Sequence, residues 1–269
     1  MPERVAESVP SVLYDEDYFL KACEGYSEFV SSEGEYLSRR LSEALAVAGI
    51  APGMQVLDVG CGRGELLRHV HRLGARPFGI DYATVAVRMA RAVVDRETEG
   101  GAEIGVYRAN AQQLPFVQAS FDRVLMLDIV EHLYPEELER ALQDAARVLR
   151  PGGRIVLHTA PNVWYDRYAY PLVRLVRRLL GQGQGYPADP RAFLVPENVH
   201  VHVNEQSLLS LRRNLRGAGF IRIQSWLSTP PQNRQEHALF GMARKVLFRA
   251  PPFRWFFQRE VFAVGERPG

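Results

Sequence analysis

Between residues 55 and 160 the chain alternates short apolar runs with longer segments whose apolar positions fall at helical spacing. The runs are QVLDV (55–59), RPFGID (76–81), EIGVYRA (103–109), FDRVLMLD (121–128) and RIVLHTA (154–160). Each is short and bounded by turn residues, which predicts buried strands. Residues 64–73, 84–96 (TVAVRMARAVVDR) and 136–149 carry the helical pattern. The last opens at Pro135 with Glu136 and Glu137 in its first turn and is closed by Pro151-Gly152-Gly153. Strands and helices in rotation require right-handed crossovers and a parallel sheet covered on both faces. The expected class is α/β with a doubly wound sheet.

Outside that stretch the pattern loosens. Residues 15–48 read as an amphipathic helical cap, with Tyr18, Phe19, Tyr26, Phe29, Tyr36 and Leu37 among its apolar positions. Residues 163–180 are aromatic and basic with Pro171 inside, and GQGQGYPADP (181–190) is a loop by its turn residues. In PENVHVHVNEQ (196–206), His200 and His202 alternate with Val199, Val201 and Val203. Alone, that alternation is the mark of a half-buried strand. Its place between the fifth strand and a helix over 205–217 argues against a sheet position; an extended conformation there sets both imidazoles on one face. FIRIQSWL (220–227) and REVFAVGE (259–266) are two further strands, separated by a break at TPPQ (229–232) and a helical pattern over 236–249. The expected organisation is a cap (1–52), a core (53–160), an acceptor-side insertion or lid (161–204), and remaining core elements with an insertion near 230–258 (205–269).

Composition sets limits. At 269 residues, 46% hydrophobic and 24% charged, the chain suits a soluble globular protein with a real core. Its two cysteines, Cys23 and Cys61, imply no disulfide framework and fit a reducing compartment. MPERVAESVP lacks the apolar stretch of a signal peptide, and no run of about 18 apolar residues occurs, so a cytoplasmic protein is expected. The net charge of +2 hides an asymmetry. Residues 1–160 hold 17 Lys+Arg against 24 Asp+Glu, and residues 161–269 hold 16 against 7. The basic, aromatic second half can face an anionic partner, including the inner membrane face, or carry solvated charge beside a cleft.

The chemistry concentrates after the first strand. In LDVGCGRGE (57–65), glycines at 60, 62 and 64 let backbone approach a ligand at a helix N-terminus. The spacing G-x-G-x-G differs from the dinucleotide fingerprint G-x-G-x-x-G. Asp58, just before it, would repel a pyrophosphate but suits a ligand with an ammonium or sulfonium charge. Both features disfavour a nicotinamide oxidoreductase. The second strand ends in Asp81, where a carboxylate can take both ribose hydroxyls.

These residues resemble the class I S-adenosylmethionine-dependent methyltransferases. VLDVGCGRGEL resembles their first motif and GIDYA (79–83) their ribose-binding acid; NAQQLPF (110–116) resembles their adenine-binding segment. FDRVLMLDIVEHL (121–133), LRPGGRIVLHTAPN (149–162) and LRGAGF (215–220) resemble later motifs. The resemblance implies a mostly parallel seven-stranded sheet, a Rossmann-like cofactor core over 53–160 and S-adenosylmethionine as cofactor. It places Asp58, Gly60, Cys61 and Gly62 around the methionine moiety. It sets Asp81 and Tyr82 at the ribose, Asn110, Ala111 and Gln112 at the adenine, and Asp128 beneath the reactive methyl. One departure is Asn110, where the family usually has aspartate; its amide oxygen remains an acceptor. Cys61 reads as a small packed side chain.

Methyl transfer needs an acceptor held in line with the donor, water excluded and, for a hydroxyl, a base or a metal. DIVEHLY (128–134) puts Asp128, Glu131 and His132 at i, i+3 and i+4, one face of a helical turn. The segment resembles that of metal-dependent members, the small-RNA 2′-O-methyltransferases and quinone-pathway O-methyltransferases. There a later histidine completes the site, which would make Glu131, His132 and His200 ligands of a divalent metal. The same segment occurs in relatives without metal, and that reading is preferred. His132, His200, His202 and Glu131 are the catalytic candidates. His158 reads as a satisfied core or wall histidine, and Tyr14, Tyr18 and Tyr26 as caps over the cofactor or core packing. The expected function is O-methylation of a small or lipid-linked acceptor, a glycan intermediate or quinone-like phenol. The alternatives are a nucleic-acid methyltransferase, which no recognition module or lysine-rich patch supports, and a non-catalytic S-adenosylmethionine-binding protein.

Overall fold

The computed structural model describes residues 8–97, 104–193, 195–228 and 251–269. The helical pattern over 236–249, the loop at 229–232 and the start of the third run lie outside them. The N-terminal segment is broken where one helix is expected over 15–48. A π-helical turn (Tyr18–Ala22) leads to α1 (Tyr26–Ser32) and then α2 (Arg39–Ala48). Left-handed residues at Gly25, Glu33 and Gly34 separate these pieces, so the apolar periodicity continues while the backbone does not.

The core follows the expected rotation: β1 (Gln55–Val59), α3 (Glu65–Arg72), β2 (Arg76–Asp81), α4 (Thr84–Glu97), β3 (Gly105–Arg108), β4 (Phe121–Leu127) and α5 (Pro135–Val148). β5 (Leu149–Thr159) begins before its expected start. Pro151-Gly152-Gly153 forms an irregularity within the strand, and the register to β4 shifts from Phe121↔Leu149 to Arg123↔Arg154. α6 (Tyr170–Leu179) follows, with Pro171 in its first turn where a missing N–H costs nothing. Then come α7 (Asn198–Val201), α8 (Leu208–Gly217), β6 (Ile221–Ser228), α9 (Arg254–Phe257) and β7 (Glu260–Glu266).

The seven strands form one sheet in the order β3-β2-β1-β4-β5-β7-β6. The first five pair in parallel, and β7 runs antiparallel to β5 and β6. Leu57, Val124, Leu125, Ile155 and Leu157 are buried completely, each contributing about 1.5–3 kcal/mol of burial. The chain goes from β1 outward through β2 and β3, then returns to β4 on the other side. That reversal opens a crevice at the carboxyl ends of β1 and β4, where doubly wound sheets bind ligands. Among the described residues no helix is long and apolar enough to cross a membrane.

Candidate active site

A cavity of about 1160 Å³, its open mouth included, occupies that crevice. Its floor is the glycine loop. Gly60 and Cys61 N–H both donate to the Ile80 carbonyl, at 2.8 and 2.9 Å, so the loop stays joined to β2 as it turns. Gly60 has φ +79°, and a Cβ there would come within 3.0 Å of the Ile129 side chain. Gly64 has φ +84°, and a Cβ there would lie 2.7 Å from Ala90 Cα of α4. The loop therefore needs glycine both for its turn and for close packing. Cys61 is buried and its thiol is pushed up by burial, so it lines the wall as a neutral side chain.

Asp81 accepts from Gly62 N–H (3.1 Å) and Ala83 N–H (2.9 Å), which aims it into the cavity beside the loop. Burial raises it to about 6 against those hydrogen bonds. Asp58 is raised to about 8 by burial and then by Glu65 and Asp81. A pocket with this excess of buried carboxylate fits a cation. Asn110 Oδ1 accepts from Gln112 N–H at 2.9 Å, which forms the turn bearing Ala111 and leaves one lone pair. Asp58, Gly60, Cys61, Gly62, Asp81, Tyr82, Asn110, Ala111, Gln112 and Asp128 all border the one cavity.

Its roof comes from the N-terminal segment. Tyr14, Tyr18 and Phe19 line the cavity, whereas Tyr26 is exposed and takes no part. Two arginines that the sequence left unassigned hold this roof. Arg63, 3% exposed, donates to the Phe19 and Glu24 carbonyls at 2.8 and 2.7 Å and pairs with Glu65. Arg40 bridges Glu24 (3.1 Å) and Asp128 (3.2 Å).

Asp128 sits at the end of β4 with φ +54°, followed by a single 3-10 turn (Val130–His132). The helical face expected for Asp128, Glu131 and His132 therefore does not form. Asp128 turns instead to Arg40 and to His158 Nδ1, 2.6 Å away. Burial alone would raise its carboxyl, but Arg40 and His158 outweigh it and hold it well below the usual range. His158 is thus a buried core histidine, off the cavity lining, with a defined partner at Nδ1.

The segment 196–206 is not extended. α7 covers Asn198–Val201 and His202 follows as its C-cap, so the two histidines point apart. His200 is exposed and does not join the site, because a helical turn separates side chains that a strand would align. His202 is buried, and its ring stands edge-on to His132 with centroids 4.9 Å apart. Ligand atoms of Glu131, His132 and His202 lie within 4.8 Å of one another, which replaces the expected trio with His200. Most of those donors are committed elsewhere. Glu131 Oε2 accepts from Thr159 at 2.9 Å and Oε1 faces Ala160 N–H. Burial and neighbouring Asp128 push Glu131 upward, towards its neutral form. The His132 ring bonds the Val201 carbonyl, and its Nδ1 lies 2.9 Å from the Tyr14 hydroxyl. Only His202 Nδ1 is buried without a partner. This is the bonding of a polar cluster satisfied by protein, and it does not fit a resident metal.

Residues 57–157 match the methyltransferase-domain family model. That span is a methyltransferase domain, built on the sheet of the class I S-adenosylmethionine-dependent fold. The chain is 27% identical over 185 residues to a ubiquinone/menaquinone biosynthesis C-methyltransferase of Laribacter hongkongensis, covering 66% of this chain and 72% of that one. It is 37% identical over 159 residues to a ubiquinone biosynthesis O-methyltransferase of Xanthomonas axonopodis pv. citri, covering 58% of this chain and 60% of the relative. The fold is that of the putative methyltransferase solved in complex with the Trm112 activator of Haloferax volcanii. The TM-score is 0.60 at 18% identity, covering 95% of this chain and 99% of that one. S-adenosylmethionine is the cofactor of this methyltransferase, and it supplies an activated methyl group on a sulfonium.

The raised acids make a prediction about its binding. Both are partly protonated near neutral pH, and an arriving cation favours their ionised forms. Binding near pH 7 should therefore release protons, and affinity should climb between about pH 6 and 8. Calorimetry in two buffers of different ionisation enthalpy measures this; proton uptake would be the wrong sign.

Proposed function

We propose that this methyltransferase O-methylates a small quinone-type phenol, with His132 accepting the phenolic proton. The observation that carries the reading is the placement of His132 on the cavity wall with its Nδ1 2.9 Å from the Tyr14 hydroxyl. Burial lowers its imidazole to about 4, so it is neutral throughout the physiological range, and it lines the cavity beside Asp128. In the tautomer that donates to Val201 through Nε2, Nδ1 accepts from Tyr14, and the pair can relay a proton from an acceptor hydroxyl. The phenol's neighbours would be apolar: Tyr18, Phe19, Ile129 and Leu133 border the same space. Asp128, ionised and fixed by Arg40 and His158, supports positive charge at the donor end. Glu131 and His202 back His132 from behind; neither borders the cavity.

Relatives that methylate carbon and oxygen both lie within reach of this chain, and both act in quinone biosynthesis by name. The experiment is a labelled-methyl screen across quinone precursors, glycan intermediates and RNA, with the product linkage read by NMR. Methyl ether on a phenol is the expected product. Ring methylation, or label only in RNA or glycan, would overturn the reading. Because Glu131 and His132 already have protein partners, turnover should also survive exhaustive chelation. Loss of activity with EDTA, restored by a divalent ion, would show the opposite.

A further inference from the structure

We infer that α6 and the neighbouring aromatic turn form a docking face for an anionic lipid bilayer. Leu172, Leu175, Val176 and Leu179 recur at i, i+3, i+4 and i+7, the stripe that ordinarily faces a core. Here it faces outward, with Leu172 and Leu175 54% and 55% exposed and Leu179 79% exposed. The body of the protein is met by the opposite side of α6. Tyr170 is fully buried there, Arg174 Nε donates to the Tyr186 carbonyl, and the Arg177 guanidinium lies over the Tyr186 ring. The leucines are thus turned to solvent by a helix whose orientation is fixed.

The apolar face continues onto the segment before β7. Phe253 and Trp255 are exposed, and beside them Phe256 shares a groove with Trp164, Tyr168 and Leu172 of the α6 region. Asn162, completely buried at the exit of β5, ties the two parts together. Its side-chain amide donates to the Trp255 and Gln258 carbonyls at 2.9 and 3.0 Å. Isolated exposed leucines need no explanation, but a contiguous, rigidly held patch does.

Charge selects the occupant. α6 has no acidic residue; Arg174 and Arg177 are held on its Tyr186 side, whereas Arg167 and Arg178 stay exposed. Among the described residues none of the four forms an ion pair with a carboxylate. A second copy docked on the same face would bring the exposed Arg167 and Arg178 of both copies to an interface where α6 offers no acid to neutralise them, and RNA would be met by leucine where it offers phosphate. Leucines flanked by arginines suit a bilayer surface, with apolar side chains entering the acyl boundary and guanidinium groups among anionic headgroups. The face follows in the chain after the carboxyl end of β5.

The test uses the full chain and lipid alone, without an acceptor, so it is independent of the proposed reaction. Wild-type protein is sedimented with vesicles of phosphatidylcholine containing phosphatidylglycerol, and with phosphatidylcholine only. It should bind the anionic vesicles and be released as salt rises towards ~0.5 M. Leu175→Glu/Leu179→Glu should bind them at least ~10-fold more weakly. Its unchanged S-adenosylmethionine affinity would show that it is folded. Failure of the wild-type chain to bind, equal binding by the double variant, or a dimer that the double variant dissociates while vesicles bind neither, would each overturn the proposal.

Discussion

His132→Ala should lower kcat by about two to four orders of magnitude, the range expected for a general base. S-adenosylmethionine affinity should stay within about threefold, because the cofactor contacts assigned to the glycine loop, Asp81 and the 110–112 turn remain in place. That split distinguishes a role at the acceptor from collapse of the cavity. Tyr14→Phe provides the companion measurement. It keeps the ring that packs against Tyr18 and Tyr82 and removes only the hydroxyl facing His132 Nδ1. A loss of about tenfold is expected from this single hydrogen bond. The sign of the pH dependence follows from the lowered His132 value. The base form exists above about pH 4 and is lost as pH falls through it, so this imidazole leaves kcat level between pH 6 and 7. A His132→Ala enzyme with wild-type turnover would remove the imidazole from the chemistry.

The second large effect is expected at Asp81. Its carboxylate accepts two backbone N–H groups, Gly62 on one side and Ala83 on the other, and borders the cavity between them. Each bond to an ionised acceptor contributes about 1.5–3 kcal/mol. Asp81→Ala forfeits these and the acceptors assigned to the ribose, so S-adenosylmethionine affinity should fall by about 10²-fold or more. Asp81→Asn should fall between, since an amide retains one acceptor but inverts the other. Titration calorimetry decides it. Wild-type affinity in Asp81→Ala would place the ribose on other residues.

The parts of this site that could be read from sequence are those specified locally. A glycine loop after a strand and an acid at the next strand end are defined by neighbours a few residues away. All ten cofactor positions that the family resemblance implies do border one cavity. The sheet was equally legible, because buried parallel strands are short apolar runs. What stayed hidden depends on partners far along the chain. Tyr14 meets His132 across 118 positions, and Arg40 meets Asp128 across 88. No periodicity reports such contacts. Valine–histidine alternation over 199–203 misled for a different reason. Four residues of helix are too few to show a 3.6-residue period, so the pattern kept its two-residue look while the backbone turned. The N-terminal cap shows the reverse case. Its apolar spacing is helical, yet Gly25 and Gly34 cut it into pieces that can fold over the cavity.

Arg63 carries a consequence for the roof. It sits in the glycine loop, yet its guanidinium is clamped on the Phe19 and Glu24 carbonyls and on Glu65. Floor and roof of the cavity are therefore one mechanical unit. Opening the roof therefore means breaking the contacts of a single guanidinium anchored in the floor.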